Sequence, residues 1–345
     1  MYVLHDFNWH AFSPKRGVTT ALVVVLMLGL GVLFGGLGIV ITYSALLTLI
    51  ATLDWEHTAR APVASAFAIG GALLSLVATL VVVFDQIWFT VAFVFLITWV
   101  CGFLFAAGAP AAQTGLQINV WLLIVLSVSD RLTLGEMALG FLFGSGVVAT
   151  VLWLLRGRIA PDPEGPIRLR GETPFNATGT AIQRELSPQS PVLHFAFLRA
   201  VAVALAYWIG TVFFAAHPFW AAIATLVIIR PVLDQTLVRG LARSTGTLVG
   251  AVLGVWLFTL INVPLLQLAM IAVIAFGMGA TLGINYAIFT SFLTLALIWF
   301  TGLIGGDLLT TGQERILETI IGLGLALAAV ILLQVYTPKP PPANQ

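Results

Sequence analysis

Apolar runs long enough to cross a bilayer follow one another along nearly the whole chain, and they decide what it can fold into. Six lie in the first half, at about 17–35, 37–53, 63–84, 88–106, 111–129 and 135–155. Six more lie at about 193–215, 219–233, 245–262, 265–283, 285–303 and 315–335. A spanning helix needs ~20 mostly apolar residues. Several runs are short or abut a neighbour, so the reading is about 12 transmembrane helices, with ten as the lower bound. Hydrocarbon offers backbone groups no water, which selects helices for such segments. The expected class is all-α, a polytopic membrane bundle. Composition agrees: only 8% of the 345 residues are charged, against roughly 25% in a soluble domain.

The runs divide into two sets of six. Residues 1–155 form the first and 193–336 the second. Between them, 156–192 is rich in Pro and Arg and reads as a linker with one short surface helix near 177–186. The tail, 337–345, is Pro-rich and reads as disordered or polyproline. Arg60, Ser65, Gly71, Ala72 and Leu74 match Arg239, Ser244, Gly250, Ala251 and Leu253 at a constant offset of 179. Glu136 and Gly140 match Glu318 and Gly322 at an offset of 182. An even number of spans per half predicts parallel repeats, related by an axis along the membrane normal.

Orientation follows from Lys and Arg. With both termini in the cytoplasm, 13 of the 15 basic residues fall on that side, leaving Arg131 and Arg315 outside. Lys15 and Arg16 precede the first run as in a signal anchor, and no small-residue cleavage site follows, so no cleavage is expected.

Several functions are disfavoured. A net charge of +1 gives no case for nucleic acid. The single cysteine, Cys101, sits in an apolar run and makes neither an intrachain disulfide nor a Cys-based metal site. There is no nucleotide P-loop, no H-E-x-x-H and no G-x-S-x-G, so no enzyme, cofactor or metal is expected.

From Arg199 to Trp256 the chain carries its most distinctive text. Two apolar runs meet at His217–Pro218, a basic loop holds Arg239 and Arg243, and Gly246, Gly250 and Gly254 space the next helix. Phe219, Trp220, Ala221 and Thr225 followed by Arg243, Gly246, Thr247 and Gly250 resemble the fusaric acid resistance and aromatic acid exporter proteins. The Asn285–Tyr286 pair, Thr294 and the closing Glu314–Arg315, Glu318 and Gly322 share the likeness, which covers roughly 193–335. The resemblance implies a bacterial inner-membrane exporter of aromatic carboxylic acids. For some members it implies a periplasmic adaptor as partner.

Ionisable groups in or beside the spans are the functional candidates, because each costs on the order of 2.5–3.5 kcal/mol at the bilayer centre. Glu136 and Glu318 begin the last helix of their halves, as proton carriers or as first-turn acids favoured by the helix dipole. Asp85 lies between the third and fourth runs, as an ion site or a turn residue. Arg230, Arg239 and Arg243 form either a vestibule for a carboxylate or a topology and lipid-contact signal. Asn119, Asn285 and Tyr286 are read as lining the path or bonding between helices, with the two asparagines opening the fifth helix of each half. Trp220 and Phe219 read as an outer interfacial anchor, and the glycine rows as packing faces.

Together these readings favour a secondary exporter of small aromatic or amphipathic organic acids, driven by protons. The alternative is a non-transporting scaffold or an adaptor-dependent efflux subunit. The lipid bilayer is its solvent, and the surplus of glycine faces leaves room for a homo-oligomer.

Overall fold

The structure is a computed structural model that describes residues 8–52, 55–84, 86–128, 132–155, 174–214, 217–303 and 305–336. Every regular element among them is helical: α1 (Pro14–Phe34), α2 (Gly36–Thr52), α3 (His57–Val83), α4 (Ile87–Gly102), α5 (Ala109–Val128) and α6 (Leu134–Leu155) in the first half. A short helix, α7 (Pro174–Arg184), stands between the halves. The second half holds α8 (Pro191–Phe213), α9 (Trp220–Ile228), α10 (Leu233–Leu260), α11 (Pro264–Thr281), α12 (Tyr286–Leu303) and α13 (Leu308–Tyr336). Among the described residues nine helices, α3 to α6, α8 and α10 to α13, are long and apolar enough to cross a membrane. The chain is a polytopic helical bundle.

The surface helix expected near 177–186 is α7, displaced by a few residues. Asp85, the first part of the linker (156–173) and the Pro-rich tail lie outside the described residues.

Each half opens with the same local chemistry. Ser13 accepts a hydrogen bond from the Arg16 N–H ahead of α1, and Ser190 accepts from Val192 and Leu193 ahead of α8. Proline follows both serines, at a position whose N–H has no intrahelical partner anyway. The closing helices also match. Gly140 of α6 packs on Val40 of α2, and Gly322 of α13 packs on Ala224 of α9. Added Cβ atoms at either glycine would collide with that neighbour.

The halves meet through exchanged helices. The first helix of the first half, α1, lies on the fourth of the second, α11: the N–H of Ser13 donates to the Ala280 carbonyl at 3.2 Å, and Gly17 faces Phe276. The first helix of the second half, α8, lies on the fourth of the first, α4: Gly102 abuts Ala196, and Trp88 stacks on Trp208 with ring centroids 6.3 Å apart. Both seams are antiparallel, as the order of these contacts requires.

One span departs from expectation. The run at 219–233 yields a helix of nine residues, about 13 Å at 1.5 Å per residue. It stops because Arg230 precedes Pro231, which disfavours helical backbone at the residue before it. A half-length helix therefore stands inside the bundle, against α8 and α13.

The glycine row of α10 behaves as a packing face. Gly246 and Gly250 lie against the backbone of Ala287 and Ser291 in α12, and Gly254 against Ile298.

A candidate anion site around a half-helix

Among the described residues the buried charged side chains are Arg199, Arg243, Arg315 and Glu318, and all lie in the second half. The first half fills its interior with neutral polar groups that satisfy one another. Thr48 donates to the Ser145 hydroxyl at 2.8 Å, Trp121 to the Ser75 hydroxyl at 2.9 Å and Thr98 to Asn119 at 2.8 Å.

The charged groups gather around α9. At its C-terminal end, Arg239 Nε donates to the Val227 carbonyl at 2.9 Å and Arg230 Nη1 to the Ile229 carbonyl at 2.8 Å. Two guanidinium groups thus occupy the carbonyls that a terminated helix leaves unpaired. The Arg239 guanidinium also lies 4.2 Å above the Tyr286 ring, and Arg243 Nη1 donates to the Tyr286 hydroxyl at 3.3 Å. Tyr286 opens α12, where Asn285 Oδ1 accepts from the Ala287 N–H at 2.8 Å.

At the N-terminal end of α9, the Arg315 guanidinium lies 3.6 Å over the Trp220 ring. Its Nη1 is 3.4 Å from Glu318 Oε2. One turn away, His217 Nδ1 and Glu314 Oε2 are 3.3 Å apart. Thr319, held to the Arg315 carbonyl, approaches the Thr247 hydroxyl at 3.5 Å and ties α13 to α10. Trp220 is therefore the floor of a buried ion pair. Arg315 lies within α13, seven residues past its start, at the position where the apolar run read from the sequence begins.

Several sequence candidates separate here. Arg230, Arg239, Arg243, Tyr286 and Glu318 come together around α9. Glu136 does not: it is half-buried at the start of α6, where its carboxylate accepts from the Thr133 N–H at 2.8 Å and hydroxyl at 2.7 Å. Thr133 in turn accepts from the Glu136 N–H, which completes a capping box. Its counterpart differs because α13 begins further upstream, at Leu308, where Asp307 accepts from the Leu309 and Thr310 N–H groups. Glu318 consequently lies about 15 Å along its helix. Asn119 stands in the middle of α5, not at its start, and donates to the Gly115 carbonyl at 2.8 Å. It is not the counterpart of Asn285. Thr225, Gly246, Thr247 and Gly250 are buried packing positions around the same helices.

Sequence reasoning overlooked Arg199 and Arg315 as site residues. Arg199, in α8, lies 5.3 Å over the Phe105 ring. The readable signal was Arg315 and Glu318 spaced i, i+3 within an apolar helix. The contact of Arg315 with Trp220, 95 positions away, carries no local signature. Among the described residues no three His, Cys, Asp or Glu side chains gather as a metal site.

All the residues around α9 fall within 181–329, the stretch that matches the family described as fusaric acid resistance protein-like. This segment is similar to that family. It is also similar to the inner membrane protein YccS of Escherichia coli (strain K12), at 27% identity over 152 residues, 43% of this chain and 21% of that protein. The chain thus aligns with about a fifth of the length of the curated relative it matches. No solved structure matches. The half that carries the match is the half that holds the buried charges.

Proposed function

We propose that this protein is a multi-pass inner-membrane transporter that exports small aromatic or amphipathic organic acids in exchange with protons. The observation that carries the reading is the buried excess of guanidinium over carboxylate within the fusaric acid resistance-like half. Three fully buried arginines face one buried glutamate, and Arg230 and Arg239 add two part-buried cations. Such groups are costly in hydrocarbon and attract a counter-anion. Tyr286 and Trp220 supply apolar faces beside the charges. Glu318, the buried carboxylate, is assigned the proton. The basic linker and the Lys–Arg start of α1 support a cytoplasmic location for both termini. The two halves act as six-helix repeats around this arrangement.

The test is protection of a host stripped of its own exporters. Cells expressing the native chain or Arg243→Ala are challenged with aromatic carboxylates, with and without a protonophore. Protection that the protonophore removes and Arg243→Ala lacks supports export. A well-inserted chain that protects against none of the acids moves the role to scaffolding or to an adaptor-dependent complex.

A further inference from the structure

We propose that the carboxylate of the transported acid binds at the N-terminal end of α9, on the Arg315 guanidinium and the Trp220 indole N–H. The inference rests on the export reading and gives the substrate its anchoring point.

The two ends of α9 differ. The C-terminal end is closed, because Arg239 and Arg230 already donate to Val227 and Ile229. At the N-terminal end the Trp220 N–H goes to the His217 carbonyl and the Ile223 N–H to the Phe219 carbonyl. The N-cap residue, Phe219, makes no side-chain cap for the remaining first-turn donors. A helix N-terminus carries partial positive charge and favours an anion.

Two further donors stand at that end without acceptors. Arg315 Nε and Trp220 Nε1 are buried and have no hydrogen-bond partner among the described residues. The Arg315 side chain is only 5% exposed, and its single carboxylate contact, at 3.4 Å, is long for a charge-assisted bond. Buried N–H donors left unpaired are expensive. A planar carboxylate answers both, because guanidinium takes it through parallel N–H groups and an indole N–H adds a third.

The location suits a transport site. Arg315 is about 10 Å from the start of α13, so this end of α9 lies beside the body of that helix rather than its end. Phe219 and Trp220, with ring centroids 4.8 Å apart, give an aromatic ring a face to meet. The other charged groups nearby are Glu318, Arg243 on α10, and the His217–Glu314 pair. Glu318 competes with the substrate for Arg315, which makes it the group that must let go when the acid binds.

The test is equilibrium binding, which does not require transport. Native protein in lipid nanodiscs is titrated with radiolabelled benzoate, salicylate, phenylacetate and cinnamate. Arg315→Lys, Trp220→Phe and the distant Glu136→Gln are titrated alongside, each after a thermal melt confirms folding. The expected result is binding weakened roughly tenfold or more in Arg315→Lys, from the lost charged hydrogen bonds. Trp220→Phe should weaken it a few-fold, and Glu136→Gln should match the native protein. Trp220→Phe, which keeps the aromatic floor, carries the test if Arg315→Lys does not fold. Native binding that both variants leave unchanged overturns the site while leaving export intact. A native protein that binds none of the acids overturns the site together with carboxylates as the cargo.

Discussion

Arg315 and Glu318 are partners one turn apart on α13, both nearly sealed from solvent, and Arg315 rests on the Trp220 ring at the start of a helix too short to cross a membrane. The relationship concentrates stability and function in one place. Removing one member of a buried pair leaves an uncompensated charge, which costs ~3–5 kcal/mol, whereas an apolar pair of similar size is often neutral. Arg315→Leu should therefore lower the melting temperature strongly, and adding Glu318→Leu should restore most of the loss. Transport should stay absent in both. Melts of the two variants check this, and a double variant no more stable than the single one would refute it.

The seam between α10 and α12 depends on the absence of a side chain at Gly250, which lies against the Ser291 carbonyl and Thr294. Gly250→Leu should destabilise the protein by about 1–3 kcal/mol or more, as overpacking does. Gly324, which has nothing near it, should tolerate Ala at little cost. Paired thermal melts compare them.

Tyr286 accepts from Arg243 and lies beneath Arg239. Tyr286→Phe keeps the ring under Arg239 and deletes only the hydroxyl. Efflux should fall a few-fold in Tyr286→Phe and by tenfold or more in Arg243→Ala. Equal losses would show that the hydroxyl, rather than the guanidinium, is what matters.

Asp307 caps α13, and hydrogen bonds from the Thr310 hydroxyl and N–H, with the Leu309 N–H, hold its carboxyl below the usual range. A depressed folded value means that the cap stabilises above pH ~4, the ordinary carboxylate value, and that its contribution is lost as pH falls through the lower folded value. Asp307→Ala should melt earlier than the native protein at neutral pH, and the gap should close in strong acid. A gap independent of pH would contradict the ionised cap.

Much of this was legible from the residues. Twelve apolar runs appear as twelve helices of the two halves, because hydrocarbon leaves the backbone few choices. The linker helix came out within a few residues. What failed was depth. Glu136 and Glu318 align in the sequence at an offset of 182, yet α13 starts further upstream of its glutamate than α6 does, and that separates a half-buried cap from a buried acid. The start is set by Asp307 and Thr310, a capping pair outside the repeat signal. The basic loop around Arg239 pointed to the right region for an incomplete reason, since Arg230 and Arg239 each spend a donor on the end of α9. Arg315 was hidden because its meaning comes from Trp220, which only the folded chain brings to it.

The most direct test of the export mechanism is acid efflux from proteoliposomes under an imposed pH gradient, comparing native protein, Glu136→Gln and Glu318→Gln. With Glu318 as the proton carrier, native and Glu136→Gln efflux should follow the gradient, and Glu318→Gln should lose that dependence. Glu318→Gln efflux that follows the gradient as the native protein does would contradict the assignment.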